Sequence, residues 1–176
     1  MTESETKRSG ELSKRQRYEK LVSDLYQDVY RYGFWLCKSQ ALAEDLVQET
    51  FLRAWRSLDS LQNDQAAKAW LFTILRREHA RLYERYRPEL VDIDEQVVIE
   101  NENAEPESKM ERKWLLDAIN ALEKDYREPL LLQVIGGFSG KEIASILDLN
   151  DNTVMTRLFR ARSKIITRYN AIVDNS

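Results

Sequence analysis

FSGKEIASILDLNDNTVMTRLFRARSKII, from Phe138 to Ile166, is the stretch that decides the fold. Ser139 and Glu142 have the S-x-x-E spacing of a capping box, in which each side chain satisfies the other residue's backbone N–H, so a helix is expected from Gly140. Ile143, Ala144 and Leu147 then face inward, and the small Ala144 permits a second helix to come close. Asp148-Leu149-Asn150 supplies a turn, two polar helix-breaking residues around one apolar plug. A second helix is expected from about Asp151, with Val154, Leu158, Ala161 and Ile165 as its buried stripe at helical spacing. Together these make a helix-turn-helix.

What the second helix leaves outside is chemically informative: Thr153, Met155, Thr156, Arg157, Phe159, Arg160 and Arg162. Arg157, Arg160, Arg162, Lys164 and Arg168 are basic, and no acid falls between Asn152 and Val173. An exposed cationic helix just after a tight turn suits docking in the major groove of DNA. Guanidinium groups can bond guanine edges in pairs, and hydroxyls near the helix start can hold phosphates. The plainer alternative is a solvated basic face on a helical hairpin; spacing, capping box and one-sided charge taken together favour DNA binding over it.

Working outward, the net charge of −3 over 176 residues at first argues against nucleic acid. Residues 89–110, however, carry eight carboxylates against Lys109, −7 in all, so the remainder of the chain is +4. A DNA binder needs only a local basic surface. The acidic stretch around PELVDIDEQVVIENENAEPES, Pro88 to Ser108, holds two of the three prolines and no sustained helical period. It is expected to be a linker, with a short docked stretch conceivable at Val97-Val98-Ile99. A flexible tail is expected over residues 1–14, a helical domain over 15–88, the linker over 89–110 and a second helical domain over 111–172. The fold class is all-α, two small helical bundles, the C-terminal one containing the helix-turn-helix. Apolar runs are short, so neither a signal peptide nor membrane insertion is expected. The single Cys37 excludes an internal disulfide and is expected to be a buried packing thiol in a cytoplasmic protein.

In the first domain Leu21, Leu25, Val29 and Tyr32 recur at helical steps. In ALAEDLVQETFLRAWRS, residues 41–57, Leu42, Leu46, Phe51 and Trp55 lie toward the core. Asp45, Gln48, Glu49, Leu52 and Arg56 share the polar face. The A-E-D-L-V-Q-E-T-F-L-R-A-W run closely resembles the second conserved region of extracytoplasmic-function (ECF) sigma factors of bacterial RNA polymerase. The resemblance implies that Asp45, Gln48, Glu49 and Trp55 contribute to a surface gripping the coiled coil of the polymerase beta-prime subunit.

SLDSLQNDQAAKAWLFTILRREHARLYERYR resembles the part of that family that captures and opens the promoter's minus-ten element. Asp59–Gln65, with Asn63 and Asp64, would be the loop that pockets a flipped base, and Lys68, Arg76, Arg77 and Arg81 would hold the separated strand. Trp70 and Phe72 can pack or stack. EIASILDLNDNTVMTRLFRAR resembles the family's fourth region, which binds the minus-thirty-five element; by position its DNA contacts are Met155, Thr156, Arg157, Phe159 and Arg160, with Arg162 nearby. Asp148 replaces the family's turn glycine, Asn150 its proline and Asn152 the glycine before Thr-Val, where asparagine tolerates an unusual backbone. Arg77 stands where asparagine is common.

The resemblance covers most of the chain, with two motifs in order, and implies recruitment rather than bond chemistry. Its implied partners are core polymerase, through the beta-prime coiled coil and the beta flap, promoter DNA, and an anti-sigma factor. A stand-alone helix-turn-helix repressor or activator is the second reading, and leaves the D-L-V-Q-E-T-F helix without a role. An enzyme is not expected: there is no glycine-rich phosphate loop and no His/Cys cluster for a metal, and neither a cofactor nor a metal is implied.

Overall fold

In a computed structural model the backbone is described for residues 3–86 and 106–174. The expected linker stretch at 97–99 lies outside the described residues. The chain divides into two compact units, Met1–Glu89 and Leu90–Ser176. Among the described residues every regular element is helical.

The first unit is three helices: α1 (Glu3–Cys37), α2 (Gln40–Ser57) and α3 (Ala67–Tyr86). Short 3-10 turns at Leu58–Ser60 and Asp64–Ala66 lie between the last two, where the helical period breaks. α1 is helical from Glu3, so most of the expected tail continues the first helix. Ser39 caps α2, its side chain accepting from the Leu42 N–H. The buried stripe of α2 is Ala43, Leu46, Val47, Thr50, Phe51 and Ala54. This corrects the expected stripe at one end: Trp55 is 38% exposed and joins Asp45, Gln48 and Leu52 on the outer face, at helical steps of three, four and three. Tyr32 and Phe72 are fully buried with ring centroids 5.2 Å apart, so Phe72 is a core ring between α1 and α3. Removing a side chain of this size from water contributes roughly 1.5–3 kcal/mol.

The second unit holds α4 (Pro106–Asn120), α5 (Lys124–Val134), α6 (Gly140–Leu147) and α7 (Asp151–Val173). α4 starts inside the segment expected to be linker. Ala118, Ile119, Leu122, Leu130, Leu131 and Leu132 are buried with Phe138, Ile143, Ala144 and Ile146, and Val154, Leu158 and Ala161 close the core from α7. α7 packs against all three other helices of its unit. Gly137 takes a left-handed φ of 68° at the end of α5, a conformation glycine adopts without a Cβ penalty.

Candidate nucleic-acid and partner interfaces

The helix-turn-helix forms where its sequence places it. Ser139 Oγ accepts from the Glu142 N–H (3.3 Å) and Glu142 Oε2 accepts from the Ser139 N–H (2.8 Å), so the capping box starts α6 at Gly140. Asp148 ends α6 at φ 54°, in the left-handed region, and the Leu149 N–H reaches back to the Ala144 carbonyl at 2.9 Å. Asn150 then caps α7, its Oδ1 accepting from the Thr153 N–H at 2.8 Å. Asn152 lies inside α7 and needs no special backbone; the strained position is Asp148.

Along α7, Met155 (58% exposed), Thr156, Phe159 (71%) and Arg160 project outward. The remaining predicted residues turn partly back to the protein. Thr153 is half-buried. Arg157 is also half-buried, its guanidinium 3.5 Å from Asp125. Arg162 is exposed and donates to Gln133 Oε1 of α5. Lys164 sits 3.5 Å from Glu123 and over the Tyr126 ring. The sequence pattern missed Glu123 and Asp125, because their contact with α7 depends on how α5 packs. They line, with Arg157, Arg160, Thr156 and Asn152, a cleft of about 560 Å³ beside the outward face of α7.

In the first unit Asp45 and Gln48 are exposed on α2, and Glu49 is half-buried in an i,i+4 pair with Arg53 (3.0 Å). Gln48 lines a cleft with Glu44, Tyr26 and Tyr30. Tyr18 meets Trp55 edge-on at 5.2 Å, and Lys14 Nζ lies 5.0 Å over the Trp55 ring. Leu52 is exposed (50%) beside Trp55, with Glu44, Asp45 and Glu49 earlier in α2 and Arg53 and Arg56 towards its end.

Asn63 and Asp64 are exposed, Asn63 between the two 3-10 turns and Asp64 at the start of the second, just before α3. Asn63 Oδ1 accepts from the Gln65 N–H at 3.0 Å, forming a local cap. Arg77 and Arg81 are exposed on α3, and Arg76 is half-buried. Lys68 is half-buried, its Nζ 2.8 Å from Asp28 of α1. Arg81 reaches Glu78 at 2.9 Å. Glu78 is itself buried, and Arg53 of α2 approaches it at 3.5 Å. Glu49, Arg53, Glu78 and Arg81 thus form one ionic chain across α2 and α3, joining a predicted partner residue to a predicted DNA residue. No spacing rule in the sequence pairs Arg53 with Glu78.

Residues 21–89 match the family described as Sigma-70 region 2, and residues 112–165 match Sigma-70, region 4. The ECF RNA polymerase sigma factor SigM of Bacillus subtilis is 30% identical over 161 residues, covering 88% of this chain and 98% of that one. The chain belongs to the ECF RNA polymerase sigma factors. EcfG of Rhodopseudomonas palustris is 38% identical over 125 residues, covering 70% of the ECF chain described here and 68% of its relative. The structure of the sigma factor RpoE in complex with the anti-sigma factor NepR from Bartonella quintana aligns with a TM-score of 0.69 at 28% identity, over 84% of this chain and 93% of that one. As an ECF sigma factor the protein acts in transcription initiation, its two matched regions falling one in each helical unit. No helix among the described residues is long and apolar enough to cross a membrane.

Proposed function

We propose that this sigma factor binds core polymerase through the outer face of α2 and reads promoter DNA with α3 and α7. The observation that carries the reading is the outward set Met155, Thr156, Phe159 and Arg160 on a capped, tightly turned second helix. Arg160 can take a base edge or phosphate of the minus-thirty-five element, and Met155 and Phe159 supply apolar contact to thymine methyls. Thr153, Thr156, Arg157 and Arg162 are placed to set register on the phosphates. Met155 and Thr156 alter the reading face, so the family's consensus element is not carried over to this protein.

On α2, Asp45, Gln48, Glu49 and Trp55 meet the beta-prime coiled coil, with Leu52 and the Trp55 ring as apolar anchors in a polar surround. Asn63 and Asp64 shape the loop that receives a flipped minus-ten base, while Lys68, Arg76, Arg77 and Arg81 line the path of the opened strand. The second unit also touches the beta flap. The protein works in the cytoplasm without a cofactor, lending two DNA-reading surfaces to an enzyme that supplies all the bond chemistry. A covering anti-sigma factor fits this reading, since the RpoE of Bartonella quintana was solved in complex with one.

Transcription by core polymerase on a genomic fragment library tests the assignment. Arg160→Ala should weaken initiation that depends on the minus-thirty-five element and spare polymerase binding; Asp45→Arg should weaken polymerase binding and, with it, initiation at every promoter alike. If both variants transcribe like the parent protein, the surfaces are assigned wrongly.

A further inference from the structure

The segment from Leu58 to Ala66 has few means of holding one shape by itself. It consists of two single 3-10 turns, and Gln62 through Ala66 are all exposed. Leu58 and Leu61 are buried and anchor its first half. Its second half is held by α1. Arg17 Nη2 donates to the Leu61 carbonyl at 2.5 Å, and Arg17 Nε donates to Asp64 Oδ1 at 2.7 Å. Three residues earlier, one helical turn away on the same side of α1, Lys14 Nζ pairs with Asp59 at 2.8 Å. One turn of α1 thus grips the segment at Asp59, Leu61 and Asp64, over sequence separations of 44 to 47 residues.

We infer that Arg17 is a positioning residue for minus-ten recognition: its guanidinium, bridging the Leu61 carbonyl and the Asp64 carboxylate, fixes the loop in the shape that accepts a base. The inference rests on the proposed role of this loop in base capture. The geometry is specific to arginine. Nε and a terminal nitrogen of one planar fork meet two acceptors, one of them main chain, and a lysine ammonium reaches both less well. Arg17 is half-buried, but the Asp64 end of the pair is largely exposed, and an ion pair of that kind adds little to global stability. It is well suited to choosing among conformers of a short surface loop, where a small free-energy bias changes populations severalfold. Asp64 then acts by receiving Arg17, and Asn63 is the side chain left beside the captured base.

The test uses full-length protein assembled with core polymerase on fork-junction promoters carrying each base at every minus-ten position. Arg17→Ala should flatten base discrimination at one minus-ten position by about three- to tenfold, with holoenzyme assembly and minus-thirty-five preference unchanged. Arg17→Lys should fall between the two. A general loss of folding would lower initiation on every template alike, and a thermal melt separates that outcome. An unchanged discrimination profile in Arg17→Ala, while Asn63→Ala alters it, overturns the positioning role and leaves base capture by this loop standing. If neither variant alters the profile, base capture by this loop is itself wrong.

Discussion

Asp148 shows how one residue can be both out of place and tolerated. Its φ of 54° puts a Cβ where L residues lose roughly 1 kcal/mol, and Asp is among the few non-glycine types that visit this region. Asp148→Gly should therefore raise the stability of the second unit by about 0.5–1 kcal/mol in a denaturant melt. Unchanged or lower stability would mean that the carboxylate makes a compensating contact. Gly136 is the opposite case. A Cβ there would lie 2.6 Å from the Leu132 carbonyl and 2.4 Å from the Phe138 ring, both buried parts of the α5–α6 junction. Gly136→Ala should cost about 2–4 kcal/mol, and a melt equal to the parent's would count against the close packing described for this turn. Cys37 is half-buried, less than its apolar neighbours suggest, yet burial pushes its thiol up from about 9 to about 12. The thiolate is the reactive form, so alkylation by iodoacetamide at pH 8 should be at least about tenfold slower in the folded protein than in denaturant. Because the unfolded thiol ionises first, this group favours unfolding as pH climbs from about 9 toward 12, and stability should fall across that window.

At the scale of elements, local chemistry was the legible part. The capping box, the Asn150 cap and the start of α6 at Gly140 are set by contacts within three residues, which spacing alone reveals. Contacts between elements were not legible. Trp55 looked like core by its period, but it lies at the edge of the α2 stripe, where Tyr18 and Lys14 of α1 cover it only in part. The cations of α3 were expected to line the path of the separated strand, yet Lys68 is bound to Asp28 of α1. Whether a lysine faces solvent or a carboxylate forty residues away depends on helix packing that no period encodes. Glu78 is the clearest instance: it is 7% exposed and held by Arg53 from α2 and Arg81 from α3. Glu78→Ala leaves two guanidinium groups facing each other across the α2–α3 seam and should destabilise the first unit by about 1–3 kcal/mol. Adding Arg53→Ala to it should cost less than the sum of the two single changes; strict additivity would mean that Arg53 and Glu78 do not communicate.

For the whole molecule, charge is arranged so that α7, the helix proposed to read DNA, is less cationic than its own sequence. The chain is −3 overall: residues 89–110 carry −7 and the remainder +4. Within the second unit, Asp125 and Glu123 lie 3.5 Å from Arg157 and Lys164, so in the free protein these carboxylates compete with a phosphate backbone for two cations. An isolated unit that binds DNA weakly loses little, because two surfaces carried on one polymerase raise each other's effective concentration. On the proposed function it would gain selectivity, because free protein would not be spread over nonspecific sites. Glu123→Gln combined with Asp125→Asn frees both side chains, and the free protein should then bind nonspecific duplex more tightly at low salt. Its log affinity should fall with log salt more steeply by about 1–2, near 0.9 for each phosphate newly neutralised. An unchanged slope would show that Arg157 and Lys164 already reach the backbone in the parent protein, and that the two carboxylates do not mask them.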